Sequence, residues 1–424
     1  MTEPTKRDTS TLRPIESELE SRPTTRVRAS DIAKIADLDP ERGPIREALR
    51  DPFVILLLLV LLIGSAIFFV PRFMWRIMPE PADRVLLVNY TVPYVSAREH
   101  RGAIWLLNHW KYRSPEGRSW DSLGTHVGYD PLKREVQTTI AQQDLSKVDW
   151  VFVTDAYGVY EDDLIDIENE MAHLDFSRRI FGGLSDDDAA ALLAHSVRGG
   201  HTFLEFNALE DPTGPAARAT LQPLFGIKWT GWVGRTFSQL QDTTDVPHWL
   251  PRLQRQHYGD RPLPIGPTLV LVHPDGRMLM VEGPTLARAS PRVAVTEAGN
   301  RVLSDAVGGA DYSGWFPVYT ANEGTEVLAE LILPDHPKIT EVLQREGLTR
   351  AIPLLTRRIT ESGAHQVYLM ADMSDTEFTP GRWDLAGPKW MQAISDFQPD
   401  LYAGHNAFWD FYVPAVSSLL KSPR

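Results

Sequence analysis

Cysteine is absent from all 424 residues. That absence removes disulfides, thiolate nucleophiles and cysteine-ligated zinc. It fits a bacterial envelope protein, although it fixes no compartment by itself. Positive charge is also scarce: 43 Lys and Arg face 56 Asp and Glu, for a net charge of -13. A general nucleic-acid binder needs a basic face to neutralise phosphates, so no nucleic-acid partner is expected. There is no P-loop and no G-x-G-x-x-G behind a strand, so no nucleotide cofactor is expected. The twelve His include no H-E-x-x-H and no tight pair, so no metal centre is expected. No internal repeat is evident.

What is present is enough apolar material for a globular body, 43% hydrophobic against 23% charged. Twelve Trp serve either as core packing or as sugar-stacking platforms. One long uncharged run stands out, "FVILLLLVLLIGSAIFFV" from Phe53 to Val70. At about 1.5 Å per residue it nearly crosses a hydrocarbon core of about 30 Å. Trp75, just beyond, suits an interface. A long hydrophilic segment precedes the run and no small-x-small cleavage site follows it, so a retained anchor in the lipid bilayer is expected rather than a cleaved signal. Arg42, Arg46 and Arg50 precede the span, and Arg72, Arg76 and Arg84 follow it, nearly a tie for the positive-inside rule. With only a polar tail before the span and a large body after it, the body is expected outside the cytoplasm.

Residues 1–51 read as a flexible polar tail, with a short helix possible at "ASDIAKIADL", and 52–78 as anchor and juxtamembrane segment. Beyond them strands alternate with helices. "RVLLVNY" (Arg84–Tyr90), "REVQTTI" (Arg134–Ile140), "DWVFVTD" and "HTFLEFNAL" (His201–Leu209) read as strands. "REHRGAIWLLNHW" (Arg98–Trp110) has helical spacing. "LSDDDAAALLAHSVRGG" is a marked helix, with Ser185 as N-cap, Asp188 three residues on, and a Gly stop. This rhythm implies βαβ units and a mostly parallel sheet. It ceases near Asp242. "PTLVLVHPDGRMLMVEG" reads as a hairpin, and "RVAVT", "GWFPVY" and "VLAELIL" as short strands, giving a β-rich insertion over 245–360. "HQVYLMAD" (His365–Asp372) returns to the first sheet, and "NAFWDFYVPAVSSLL" closes the chain as a helix interrupted at Pro414.

The order of "RVLLVNY", "DWVFVTDAYG", "LSDDDAAALLAHSVRGG" and "HTFLEFN" resembles a class I glutamine-amidotransferase-like domain, a flavodoxin-like fold. The chain is also similar to bacterial membrane-anchored proteins in which "TD-x-YGVY", "GGL" and "GW-x-GR" recur, here Thr154–Tyr160, Gly182–Leu184 and Gly231–Arg235. The resemblance implies an α/β, mostly parallel flavodoxin-like sheet built from 84–244 plus 361–424, with the β-rich insertion at 245–360 and one transmembrane helix before it. It departs from the family at the nucleophile: no Cys and no G-x-S-x-G substitute exist, which excludes glutaminase chemistry.

Ligands of parallel α/β sheets sit beyond the carboxyl ends of the strands. That rule selects Asp155, Glu205 and Asp372 as carboxylates for acid, base or nucleophile work. Tyr157, Tyr160 and Trp232 are candidate stacking platforms, Arg235 a partner for an anionic group, and Asn207 and Asp375 further ligand contacts. Strand-end Asp and Asn also cap turns, so an architectural role stands beside the functional one. The expected function is that of a single-pass bacterial envelope protein that binds a glycan or envelope polymer, with processing of that polymer left as an option. The alternative is a non-enzymatic anchored scaffold with envelope protein partners.

Overall fold

The computed structural model describes residues 51–164, 177–241, 246–247, 249–282, 290–376, 382–387, 392 and 407–421. The expected polar tail, apart from Asp51, lies outside the described residues. The chain divides into two compact units, Met1–Phe69 and Val70–Arg424.

Among the described residues fifteen strands form two sheets and a ribbon. The large sheet has the order β11-β13-β14-β15-β7-β4-β1-β2-β3. Its central strands are β1 (Val85–Asn89), β2 (Val127–Asp130), β4 (Trp150–Asp155), β7 (His201–Glu205) and β15 (His365–Leu369). Every residue of these five is buried, which is why they read as apolar runs. All four pairings among them are parallel. Numbered by chain order, the five lie 2-1-3-4-5, so the winding reverses between β1 and β4.

The sheet as a whole is mixed, which corrects the mostly parallel expectation. β3 (Glu135–Val136), β11 (Arg292–Val295), β13 (Glu326–Ile332) and β14 (Ala351–Ile359) add four antiparallel pairings. These flanking strands connect by turns and short helices, and antiparallel pairing needs no long crossover. The second parallel strand is also not "REVQTTI". That segment yields only the two exposed residues of β3, and the buried strand is "VGYD" just before it.

β8 (Ile227–Phe237), β9 (Thr268–Val272), β10 (Met278–Glu282) and β12 (Phe316–Ala321) make a four-stranded antiparallel sheet. Segment 245–360 thus supplies strands to both sheets. β5 (Val159–Tyr160) and β6 (Arg179–Phe181) pair as a ribbon. The helices are α1 (Pro52–Ile77), α2 (Arg101–His109), α3 (Asp186–Val197), α4 (Pro215–Phe225), α5 (Trp249–Tyr258), α6 (Glu297–Val302), α7 (Pro337–Arg345) and α8 (Val413–Leu420), the last preceded by a π-helical stretch, Ala407–Tyr412. Among the described residues α1 alone is long and apolar enough to cross a membrane. One core packs the central strands against α2, α3, α4 and α8, and a smaller cluster around Phe237, Leu250 and Val270 lies under the second sheet.

Candidate functional site

Because β1, β4, β7 and β15 run parallel, their carboxyl ends share one edge. Asn89 closes β1, Asp155 closes β4, Glu205 closes β7, and Asp372 follows β15 by three residues. Asn89 and Asp155 are register partners across the winding reversal. The sequence-selected carboxylates Asp155, Glu205, Asp372 and Asp375 therefore come together, with two further acids, Glu99 and Glu210.

Each acid is held differently. Asp155 caps its own turn, its Oδ1 accepting the Tyr157 N–H at 2.7 Å. The Thr91 hydroxyl also donates to it, and Thr91 Oγ1 accepts the Gly158 N–H at 2.8 Å. Burial nevertheless raises Asp155 to about 7, opposed by those two donors and reinforced by the negative charges of Asp375 and Glu210. Glu205 is fully enclosed. Its Oε1 accepts the Met373 and Ser374 N–H groups at 2.9 and 2.8 Å, and its Oε2 the Tyr412 hydroxyl at 3.3 Å. Burial still raises it to about 8. Glu210 Oε1 accepts the Tyr319 and Tyr368 hydroxyls at 2.8 and 2.7 Å, and burial raises it too. Asp372 is pushed well up by burial and then by its acidic neighbours, and its backbone N–H donates to the Tyr312 hydroxyl at 3.0 Å. Asp375 pairs with Arg98 at 3.1 Å.

Two polar atoms at this edge find no partner among the described residues. Asn89, 0% exposed, uses Oδ1 to accept the Thr91 N–H at 2.7 Å but leaves Nδ2 without an acceptor. Glu99 lies in the turn Arg98–His100 and is 6% exposed, with Oε2 unpartnered. Burial, then the charge of Asp375, raises Glu99 to about 8, and Asp155 adds to the effect. A buried donor and a buried acceptor left open beside Asp155 are costly unless something fills them.

Tyr157 is 39% exposed and its ring lies 5.0 Å from that of Tyr160, so this pair is the open aromatic surface of the edge. The loop that presents it explains two of the sequence motifs together. Gly158 (φ +109) and Gly182 (φ +127) lie back to back, and a Cβ on either would run into the other's backbone or the Phe181 carbonyl. The Gly183 N–H closes the contact on the Ala156 carbonyl at 2.7 Å. Asn207 turns the chain after β7 in the left-handed region, φ +56. Trp232 is 2% exposed, its ring packed by His273 at 5.2 Å and by the Arg277 guanidinium at 4.9 Å. With those groups on it, it offers no open platform. Arg235 donates to the Ser313 carbonyl at 3.2 Å and stacks on Phe237 at 4.8 Å. Its charge reaches the edge through Tyr312, whose hydroxyl it favours in the ionised form.

Sequence reasoning missed Asn89, Thr91, Glu99, Glu210 and the tyrosines that hold the acids. Applying the strand-end rule to "RVLLVNYT" as well would have found Asn89 and Thr91. A small cavity of ≈ 140 Å³ lies elsewhere, between α5 and β10, lined by Tyr258, Arg261 and Glu282. Among the described residues no group of three or more His, Asp or Glu is arranged to hold a metal ion.

No family model and no curated protein matches the chain. Among solved structures it is similar to a protein described as ThuA-like from Bacteroides uniformis, at 11% identity and a TM-score of 0.31, the match covering 75% of this chain and 91% of that one. A likeness at that score carries no functional argument, so the reading rests on this chain's own residues.

Proposed function

We propose that the chain is a membrane-anchored binding protein of the bacterial envelope. In this reading its α/β unit is a flavodoxin-like, amidotransferase-like domain without the cysteine nucleophile, and it holds a hydroxyl-rich ligand, a glycan or envelope polymer, at the β1–β4 reversal. The strand order 2-1-3-4-5 supports the fold, and ligands of such sheets sit at the reversal. The observation that carries the binding reading is that Asn89 Nδ2 and Glu99 Oε2, two buried polar atoms near Asp155, find no partner among the described residues. Sugar hydroxyls can accept from an amide and pair with a carboxyl oxygen. The Tyr157–Tyr160 surface adds an aromatic face.

Binding is favoured over hydrolysis because carboxylates of the edge are already engaged. Asp155 and Glu205 accept backbone and hydroxyl donors, and Glu210 accepts two tyrosine hydroxyls. The same engagement favours a second reading, an anchored scaffold whose acids only tie β7, β12 and the 370–376 loop together. Calorimetry of the full chain in detergent against soluble peptidoglycan and polysaccharide fragments separates them. Binding without release of reducing ends is expected, and Asn89→Ala should weaken it about tenfold. If no glycan binds and Asn89→Ala lowers only thermal stability, the scaffold reading stands and the glycan reading is lost.

A further inference from the structure

We propose that the face of the α/β unit around the end of α1 seats on the bilayer surface and binds anionic phospholipid headgroups. The inference rests on reading α1 as a membrane span. The helix has 26 residues. At about 1.5 Å each it runs about 39 Å, against a hydrocarbon core of about 30 Å. The excess of about 9 Å is roughly six residues. Arg72 is the first charge after the apolar run, so Arg72–Ile77 is the stretch that emerges at headgroup level.

Those residues belong to the Val70–Arg424 unit and are packed into it. The Pro71 carbonyl accepts the Ala386 N–H at 2.9 Å. Arg72 pairs with Asp384 at 3.2 Å. Trp75 Nε1 donates to the His109 carbonyl at 2.8 Å. Lys111 lies 4.7 Å over the Trp75 ring and donates to the Arg76 and Met78 carbonyls at 3.0 and 2.8 Å. A cation on the last carbonyls of a helix also complements its dipole. The opposite face of the same turns stays apolar and open, with Phe73 62%, Met74 47% and Ile77 59% exposed. Only lipid or another apolar phase satisfies that face.

That packing fixes what lies beside it. Trp383, 44% exposed, gives its carbonyl to His109 Nδ1 at 2.9 Å, and Arg382 shares Asp384 with Arg72. Lys421 sits 2.8 Å over the Trp110 ring. Arg72, Arg76, Arg84, Lys111, Arg113, Arg382 and Lys421 thus stand against Asp384, Glu80 and Asp83 in a chain whose net charge is -13. Trp with Arg and Lys at the end of a span is the composition that membrane interfaces select. Concentrating cations there in an otherwise acidic protein matches negative phosphates. Continuity with the span makes the occupant lipid.

The absence of native cysteine makes the test clean, since a single introduced thiol carries the only label. Full-length Leu61→Cys, Trp383→Cys and Ile265→Cys, spin-labelled in phosphatidylcholine–phosphatidylglycerol vesicles, are compared by oxygen and nickel-chelate accessibility. The expected result is Leu61 in hydrocarbon, Trp383 at the phosphate level and Ile265 in water. Omitting phosphatidylglycerol should raise the water accessibility of the Trp383 label about twofold or more. If Leu61 is in hydrocarbon while Trp383 is as water-exposed as Ile265, the surface seat is overturned and the anchor stands. If Leu61 is itself in water, the span fails and the seat with it. Accessibility at Trp383 that ignores lipid charge overturns headgroup recognition.

Discussion

Glu205 shows how burial sets the pH response of this fold. Its carboxyl is raised to about 8, chiefly by desolvation, and Asp155 and Glu99 move the same way, to about 7 and about 8. A carboxyl with a raised folded pKa keeps a proton that the unfolded chain has already released. The stability it contributes is complete below the unfolded value near pH 4 and is lost as pH rises through the folded value. Unfolding free energy from denaturant titration should therefore fall from about pH 5 to about pH 8. Glu205→Gln keeps an acceptor for Met373 and Ser374 and should flatten that slope. Glu205→Ala strands both N–H groups and should cost about 3 kcal/mol. Stability that rises across this window would contradict the assignment. Gly158 belongs to the same scale. An added methyl there meets the Phe181 carbonyl at a φ of +109, so Gly158→Ala should cost about 2 kcal/mol and lower Tm. An unchanged Tm would show that the Gly158–Gly182 contact is loose. Asp155, Glu205 and Asp372 were legible because a polar residue ending an apolar run marks the carboxyl end of a buried strand. Glu99 and Glu210 were not, because they reach the edge from turns, and no periodicity ties a turn residue to a strand end.

Among the elements, α3 was the most legible, since Ser185, the three acids after it and the Gly stop are all local signals. The structure adds what locality could not supply. Asp188 is 1% exposed and works beyond its own helix. Its Oδ2 accepts the Ser185 N–H and hydroxyl and the Tyr90 hydroxyl, while its Oδ1 accepts the Ala141 N–H at 2.9 Å. One carboxylate therefore joins α3, the end of β1 and the 140–142 turn. Ser185→Ala should cost about 1 kcal/mol, the ordinary value of a lost N-cap. Asp188→Ala should cost about 3 kcal/mol or more, because several buried donors lose their acceptor together. Equal effects in thermal unfolding would reduce Asp188 to a cap. Strand direction was the least legible property of the elements. β7, β13, β14 and β15 all carry Leu beside at least one β-branched residue, and an apolar strand read alone does not say which way its neighbour runs. Only the connections decide that. The missed strand "VGYD" is four residues with one Gly, too short for a pattern to register against the longer alternation of "REVQTTI".

At the scale of the whole molecule, the proposed reading of α1 as a span has to assign residues 84–424 to one side of the membrane. We predict the extracytoplasmic side. The charges flanking α1 are nearly balanced, Arg42, Arg46 and Arg50 against Arg72, Arg76 and Arg84, so orientation is a small difference and should be movable. Long folded regions translocate largely regardless of their own charge, and the bias is read from Lys and Arg within roughly 15–20 residues of the span. On that rule Arg42, Arg46 and Arg50 are the residues proposed to hold the tail in the cytoplasm. A phosphatase active only outside the cytoplasm, fused after Arg424, should be active, and a cytoplasm-only fluorescent reporter at the same site should be dark. Changing Arg42, Arg46 and Arg50 together to Gln should lower phosphatase activity by about half or more, as part of the population inverts. Arg76→Gln removes charge from the other side and should leave that activity equal or higher. Cytoplasmic reporter activity in the unaltered chain would reverse the orientation, and with it the claim that the Asn89–Glu99–Asp155 edge faces envelope polymers. A loss of phosphatase signal from Arg76→Gln instead of the triple change would show that the residues after the span set the topology.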